Sequence, residues 1–375
     1  MKGIAFLTGL LGVLIICGNL PVTAQVNSDG TTNTTVNLNN KNFTIINGIQ
    51  KGNNLFHSFK EFSIPTGGSA TFNNSTDVVN IINRVTGGNI SNIDGLIKAN
   101  GNANLFLINP AGIVFGENAS LDIGGSFLGT TAESILFEDG FEFSAVNPQN
   151  EPLLTVSVPL GLQMGSNPGD ITVRGNGHTL NTTNSSSALG TRDTSSGLRV
   201  NSGNTLALIG GNLNLDGGIV SANGGNIALA AVANNNSNPV QVKLNNVDTS
   251  LTLDYSQIEE FKDINLKKRA LIDASGVNSG SIQIQGQTVS LKDGSLIVLE
   301  NQGEQPGGDI QINATELLEF TDSSANLFNS IFNDATNNGT GGNIIISTDK
   351  LLMQNQGGLI GNRTFTEAAG GNIFI

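Results

Sequence analysis

Ser279–Ile297, SGSIQIQGQTVSLKDGSLI, sets Ile282 and Ile284 two residues apart behind a glycine, and the same frame then returns three times. The returns are GGDIQINATELLEFTDSS from Gly307, GGNIIISTDKLLMQNQGGLI from Gly341 and GGNIFI from Gly370. Aligned on the glycine before each strand, Gly280, Gly308, Gly342 and Gly371 stand 28, 34 and 29 residues apart. A constant strand motif at variable spacing is what loops inserted between stacked coils produce; a propeller blade needs about 40 residues and its own signature. Ile282, Ile284, Ile310, Ile312, Ile344 and Ile346 have the period of two that sends one set of side chains inward. The expected fold is therefore all-β, a right-handed parallel β-helix (a single-stranded solenoid) with an N-terminal cap. Isoleucine ladders would fill it, and Gly and Asn would make its corners. The hand follows from the rule for parallel crossovers. A β-sandwich array is the alternative.

Outward from the repeats, short strand patterns bounded by Gly or Asn recur along the chain, FTIIN from Phe43 among them. Helical periodicity is confined to DYSQIEEFKDI, Asp254–Ile264, which reads as one short helix. The chain divides into 1–24, 25–140, 141–270 and 271–375, the last holding the repeats. It stops just inside a new strand pattern with no cap for the open edge, which predicts that the natural sequence continues past Ile375. At about 28 residues per coil and ~4.8 Å per coil, the part after residue 24 would form a rod on the order of 60 Å long.

The first residues carry Lys2, an apolar run from Ile4 to Ile16, and small residues at Val22 and Ala24. This is the pattern of a secretory signal cleaved after Ala24, too short to span a membrane. Lipid modification at Cys17 is disfavoured by the bulky Ile16 before it. Cys17 is the only cysteine, so the exported chain has neither a disulfide framework nor a cysteine metal site. With 38% apolar and 13% charged residues, the chain is too apolar for a disordered tail. Its net charge of −13 speaks against nucleic acid and anionic membrane as partners.

A second stretch, LFLINPAGIVFGENASL from Leu105, reads as strand, tight turn, strand. In Asn109-Pro110-Ala111-Gly112 the Asn side chain can bond the backbone two residues on, Pro110 presets the second position, and Gly112 suits the fourth, as in a type I turn. With the signal and the repeats, this stretch resembles the N-terminal two-partner secretion (haemagglutination activity) domain of filamentous haemagglutinin-like exoproteins. The family hallmark is Asn-Pro-Asn-Gly followed by an apolar residue; Asn109, Pro110, Gly112 and Ile113 match it, and Ala111 replaces the second Asn. The similarity extends through NLFHSFKEFSIPTGGSATF from Asn54, NIINRVTGGNISNIDGLIKANGNANLF from Asn80 and LRVNSGNTLALIGGNLNLDGGIVSANGGNIAL from Leu198, in the form common among cyanobacteria. A second family motif, Asn-Pro-Asn-Leu, has no clean counterpart, and NPQN from Asn147 stands in its place.

The resemblance implies a secreted, surface or adhesin-like structural protein of a Gram-negative-type bacterium. It implies passage through the periplasm and then the outer membrane by way of a β-barrel transporter with periplasmic recognition domains. Asn109, Pro110, Ala111, Gly112 and Ile113 would form the transporter-recognition turn, with host or cell-surface glycans or proteins as further partners. A chain without cysteine also suits passage through a pore.

Catalytic signatures are absent: the sequence has no GxSxG, HExxH or Walker loop. His57 and His178 have no carboxylate at a recognisable spacing and read as structural or surface residues. The repeats lack the third Gly and the Asp of a calcium β-roll, so no metal or cofactor is expected. Glu117, Asp122 and Glu133 cluster in sequence, as carboxylates do in polysaccharide-processing β-helices, but a solvated face is the simpler reading. Lys267-Lys268-Arg269 reads as a solvated loop. Besides a non-enzymatic secreted protein, the alternatives are a β-helical polysaccharide-processing enzyme and the N-terminal part of a contact-dependent toxin.

Overall fold

The computed structural model describes residues 25–148, 155–180, 188–189, 196–233, 240–244, 251–256, 258–277, 280–323, 327–354 and 358–375. Ala24, Cys17 and the last two residues of NPQN lie outside them. Every regular element among them is a strand. Successive coils visit three faces, and strands pair in parallel with their counterparts in the next coil, except on the third face, where Ser120–Asp122 and Leu198–Val200 end separate sheets.

On the first face, Asn54–Phe62 pairs with Asn80–Val85, which pairs with Asn104–Ile108 and then Phe127–Thr130. The ladder continues through Thr205–Gly210, Asn226–Ala231, Ser281–Lys292, Ile310–Thr321, Ile344–Met353 and Ile373–Phe374. The second face stacks Ser91–Ile93, Ile113–Phe115, Ile171–Arg174, Leu213–Asp216 and Ile264–Lys267. The third runs from Asn42–Asn47 to Ser120–Asp122, then from Leu198–Val200 to Gly358–Thr364. This is the parallel β-helix that the repeats predict. Antiparallel strands cap its N-terminal end: Val26–Ser28 on Asn54–Phe62, and Thr34–Asn39 on Asn42–Asn47.

The inward ladder runs Leu55, Ile81, Leu105, Phe127, Leu206, Ile227, Ile282, Ile310, Ile344, each directly over the next. Ile284, Ile312 and Ile346 stack beside it, and one core continues from Val26 to Ile346. The register glycines have a steric cause. A Cβ on Gly280 would strike the Gly225 carbonyl, and one on Gly342 or Gly371 would strike that of Gly308 or Gly342 one coil earlier. Close backbone approach, not turn propensity alone, requires glycine there. The first-face ladder holds ten strands, or about 43 Å at ~4.8 Å per step, which is shorter than the 60 Å expected. The difference comes from two long excursions that leave the helix altogether.

Those excursions form an antiparallel sheet outside the first face, built from Ser134–Phe137, Glu142–Ser144, Pro159–Gln163, Val240–Leu244 and Leu251–Asp254. Beneath it lies a second core, in which outward-facing Phe56, Ile82, Phe106 and Leu128 meet Ile135, Phe137, Phe143 and Leu162 from the excursions. Phe56 sits edge-on to Phe143 with ring centroids 5.1 Å apart. First-face strands of the N-terminal coils are thus apolar on both sides, and all five residues of Asn104–Ile108 are buried. Buried Arg84 joins three parts at this boundary. Its guanidinium donates to Thr31 Oγ1 of the cap, to Ser58 Oγ of the first coil and to the Ser144 carbonyl of the outer sheet, 2.7–2.9 Å away, and lies over the Phe143 ring. Burial pulls its pKa down to about 10, a value that still leaves it charged at neutral pH.

The helix expected over Asp254–Ile264 is not found among the described residues of that stretch. Asp254 ends a strand, Tyr255 accepts a turn bond from Ile258 N at 2.9 Å, Phe261 bridges to Val232, and Ile264 opens the next second-face strand. Tyr255, Ile258 and Phe261 have the three-residue spacing of a helical face, but they bury it by wrapping back onto the second core. Tertiary packing overrides local pattern here.

Candidate functional site

The corner from the first face to the second contains Asn109–Gly112. The Asn109 carbonyl accepts Gly112 N at 3.0 Å and closes a β-turn, and the Asn109 Oδ1 accepts Ala111 N at 3.0 Å. The other end of the same amide reaches the preceding coil: Nδ2 donates to the Asn89 carbonyl and to Ser91 Oγ, each at 2.9 Å. Asn109 is wholly buried, so all three bonds form away from competing water. On the other side, Gly169 N donates to the Pro110 carbonyl at 3.0 Å and Ile113 N to the Asp170 carbonyl at 3.1 Å. Gly112 has φ +125°, open to glycine, and a Cβ there would lie 3.1 Å from the Asp170 carbonyl. Ile113 is fully buried and drops into the main core.

The five residues thus differ in what they present. Asn109, Gly112 and Ile113 are enclosed, whereas Pro110 and Ala111 are half-exposed; a Cβ on Gly112 would lie 3.5 Å from the side chain of Ile90, which is 48% exposed. The corner is also part of a column. Asp170 Oδ1 accepts Asn212 N at 2.9 Å, Asn212 Oδ1 accepts Asp263 N at 3.2 Å, and Asp263 Oδ1 accepts Thr288 N at 3.2 Å. Sequence reading did not find Asn89, Ser91 or Asp170 as partners of the turn. The available signal was the recurrence of Gly-Asp or Gly-Asn before an apolar strand, at Gly169-Asp170 and Gly211-Asn212.

Other residues singled out from sequence are dispersed. Asp122 is exposed and ion-paired with Lys98 on the third face; Glu117 is exposed after the second-face strand; Glu133 enters the outer sheet. They do not converge on one face. His57 is an inward residue of the first coil, 3.0 Å from Thr34 Oγ1, and burial pushes its pKa down to about 3. His178 bonds the Gly294 carbonyl through Nε2 at 2.7 Å and accepts Leu180 N at Nδ1. Burial lowers its pKa to about 4, assisted by the charge of Arg269. Both are structural residues, and neither is on the surface.

The basic run is not a free loop. Lys267 ends a second-face strand, Lys268 pairs with Asp216 at 2.8 Å, and half-buried Arg269 donates to the Leu180 carbonyl. Among the described residues no group of three or more His, Cys, Asp or Glu side chains is placed to hold a metal ion.

Two solved structures are similar to the chain. The crystal structure of the HMW1 secretion domain from Haemophilus influenzae is 19% identical, with a TM-score of 0.49, covering 94% of this chain and 95% of that one. The crystal structure of a filamentous hemagglutinin secretion domain is 16% identical, with a TM-score of 0.49, covering 93% of this chain and 99% of that one. No curated protein matches the sequence. The family model of the TPS secretion domain matches residues 24–312, and the chain therefore belongs to the two-partner secretion family, whose members cross the outer membrane with a transporter partner.

Proposed function

We propose that the chain is a non-enzymatic, surface-exposed structural exoprotein and that the corner at Asn109–Ile113 is where its transporter recognises it. One observation carries the reading: the turn is bonded to both the coil before it and the coil after it, so its half-exposed tip, Pro110 and Ala111, is held in place. Asn109 acts from beneath as a positioning residue and Pro110 is offered to the partner. A preorganised tip loses little conformational freedom on docking, which favours recognition.

Export with the cognate transporter and thermal melting of the purified chain test this together. Asn109→Ala removes three side-chain hydrogen bonds at a buried site and should lower both. Pro110→Ala leaves those bonds in place, so it should melt within about 1 kcal/mol of the parent while export falls. Normal export of Pro110→Ala, together with an Asn109→Ala defect that only tracks lost stability, would reduce the turn to architecture.

A further inference from the structure

We infer that Asn47-Gly48, the bend between the capping strand Asn42–Asn47 and Ile49–Lys51, is a self-modifying site: the Asn47 amide is lost as ammonia through a cyclic imide with the Gly48 nitrogen, assisted by the Thr35 hydroxyl. Five Asn-Gly pairs occur in the chain, beginning at Asn47, Asn100, Asn176, Asn223 and Asn338. Asparagine is among the chemically labile residues, and a glycine after it leaves the attacking backbone nitrogen unshielded by a side chain. The structure separates the five pairs.

In three of them the nitrogen that would attack is already donating. Gly177 N bonds the Gly217 carbonyl at 2.9 Å, Gly224 N the Ser275 carbonyl at 3.0 Å and Gly339 N the Gly303 carbonyl at 2.9 Å. At half-buried Asn100 the side-chain amide is held instead, since Nδ2 donates to Asn73 Oδ1 at 3.2 Å and to the Asn74 carbonyl at 3.1 Å. Asn47 is exposed, and Gly48 N donates to no acceptor among the described residues. Asn47 Nδ2 donates to Thr35 Oγ1 at 3.0 Å, on the paired strand Thr34–Asn39, and a hydroxyl has a proton of its own to give. Both residues of the bend have positive φ, +66° at Asn47 and +79° at Gly48, so the conformation itself favours the glycine that leaves the nitrogen open to react.

The reaction needs only water and hydroxide. Gly48 N gives its proton to hydroxide and attacks Asn47 Cγ; the new N–C bond closes the imide, and the Cγ–Nδ2 bond breaks. Thr35 Oγ1 passes its proton to the departing nitrogen, which leaves as ammonia, and regains one from water. Water then opens the imide at either carbonyl, giving aspartate or its β-linked isomer, in which the main chain runs through the former side chain. The two products differ in fit. Aspartate tolerates the left-handed region and adds an exposed negative charge. The β-linked isomer adds a backbone carbon beside Gly48, where even a Cβ would lie 2.7 Å from His57 Cε1 and 2.8 Å from the Phe56 carbonyl. The isomer therefore loosens the cap where His57 meets Thr34. This inference is independent of the transporter reading, because the bend and the Asn109 corner share no residue.

The test is to hold the purified chain at neutral and mildly alkaline pH in heavy-oxygen water, digest it at intervals and map the labelled acid by mass spectrometry, with electron-transfer fragmentation to tell aspartate from its β-linked isomer. Label should enter at Asn47 at least about tenfold faster than at Asn176, Asn223 and Asn338, and faster as pH rises. Thr35→Val keeps a β-branched side chain at an exposed strand position, so it should melt like the parent and convert several-fold more slowly. Asn47→Asp should also melt like the parent, whereas the aged chain, enriched in the β-linked isomer, should melt lower. Conversion at Asn47 no faster than at the three bonded pairs, an unchanged rate in Thr35→Val, or an aged chain that melts like Asn47→Asp would each overturn the inference.

Discussion

Coils near the N-terminus turn from the first face to the second through separate strands and a tight corner, as at Asn109–Gly112, whereas the later coils run straight through. Ser281–Lys292 pairs on the first face up to Gly286 and on the second from Thr288, with only a register shift between them, and Ile310–Thr321 repeats this. The outward side differs in the same way. Phe56, Ile82, Phe106 and Leu128 lie under the outer sheet, while Gln311 on the same ladder faces water. The later coils need only nearest-neighbour stacking, as solenoids do. The earlier ones are tied to segments far along the chain: Asn54 Nδ2 donates to the Ser157 carbonyl at 2.8 Å, and Asn80 and Asn104 extend that amide ladder. Regular coils lengthen the rod, and irregular ones create distinct surfaces.

Aspartate scanning along the first face gives the largest effect and is the most direct way to break the comparison. Ile344 points inward in a late coil and Ile82 outward in an early one, yet both are fully buried. Ile344→Asp and Ile82→Asp should each cost about 4 kcal/mol or more through an unpaired buried charge. Ile345→Asp, outward and half-buried in the late coil, should cost under about 1 kcal/mol. Denaturant midpoints measure all three. If Ile82→Asp is as mild as Ile345→Asp, the outer sheet does not cover the early coils.

The same contrast explains what the sequence made readable. The late coils are legible because each is a short local unit: Gly280, Gly308, Gly342 and Gly371 mark the corner, and the isoleucines two and four residues later mark the interior. The second core is not, because a run such as NLFLI shows that Asn104–Ile108 is apolar but not that Phe106 meets a sheet built from residues 134–254. Burial on both sides is a long-range fact. The helix expected over Asp254–Ile264 fails for the same reason, since its apolar spacing serves a turn packed on that core. At the candidate site the β-turn and the Asn109 side-chain bond to Ala111 were readable, being local. The bonds to Asn89, Ser91 and Asp170 were not, because they depend on which coils become neighbours.

A pH series separates the two regions by a second route. His57 belongs to the first coil, whereas His178 contacts Gly294 in a late coil. Their native pKa values of about 3 and about 4 lie below the ordinary 6.5 because burial opposes the charged form. The unfolded chain therefore binds protons at a pH where the native one does not. Stability from both residues is complete above about pH 6.5 and is lost as pH falls towards 4 and then 3. At pH 5 the loss is about 2 kcal/mol for each. Carboxylates titrate lower, so the interval from pH 6.5 to 5 reports the histidines. His57→Gln and His178→Gln should each remove about half of the drop in stability between pH 7 and pH 5. Equal stability of the parent at both values would show that neither histidine is held neutral.

The smallest effect probes the corner itself, at glycines that occupy it in the two regions. Gly112 combines φ +125° with an approach to the Asp170 carbonyl, so Gly112→Ala meets backbone strain and a close contact together and should cost about 1–3 kcal/mol. Gly286 has no positive φ, and its Cβ would meet the Lys262 carbonyl at 3.1 Å and the Ile264 side chain at 3.2 Å. A strand that passes through the corner with a register shift can yield by a few tenths of an ångström, so Gly286→Ala should cost under about 1 kcal/mol. Export sharpens the distinction. Gly112→Ala moves the half-exposed tip at Pro110 and Ala111, and its export should fall further than that of a core variant of matched stability, such as Ile346→Val. Gly286→Ala should be exported like the parent. If Gly112→Ala and Ile346→Val lose export in equal measure at equal stability, the early corner carries no more information for the transporter than any other turn of the rod.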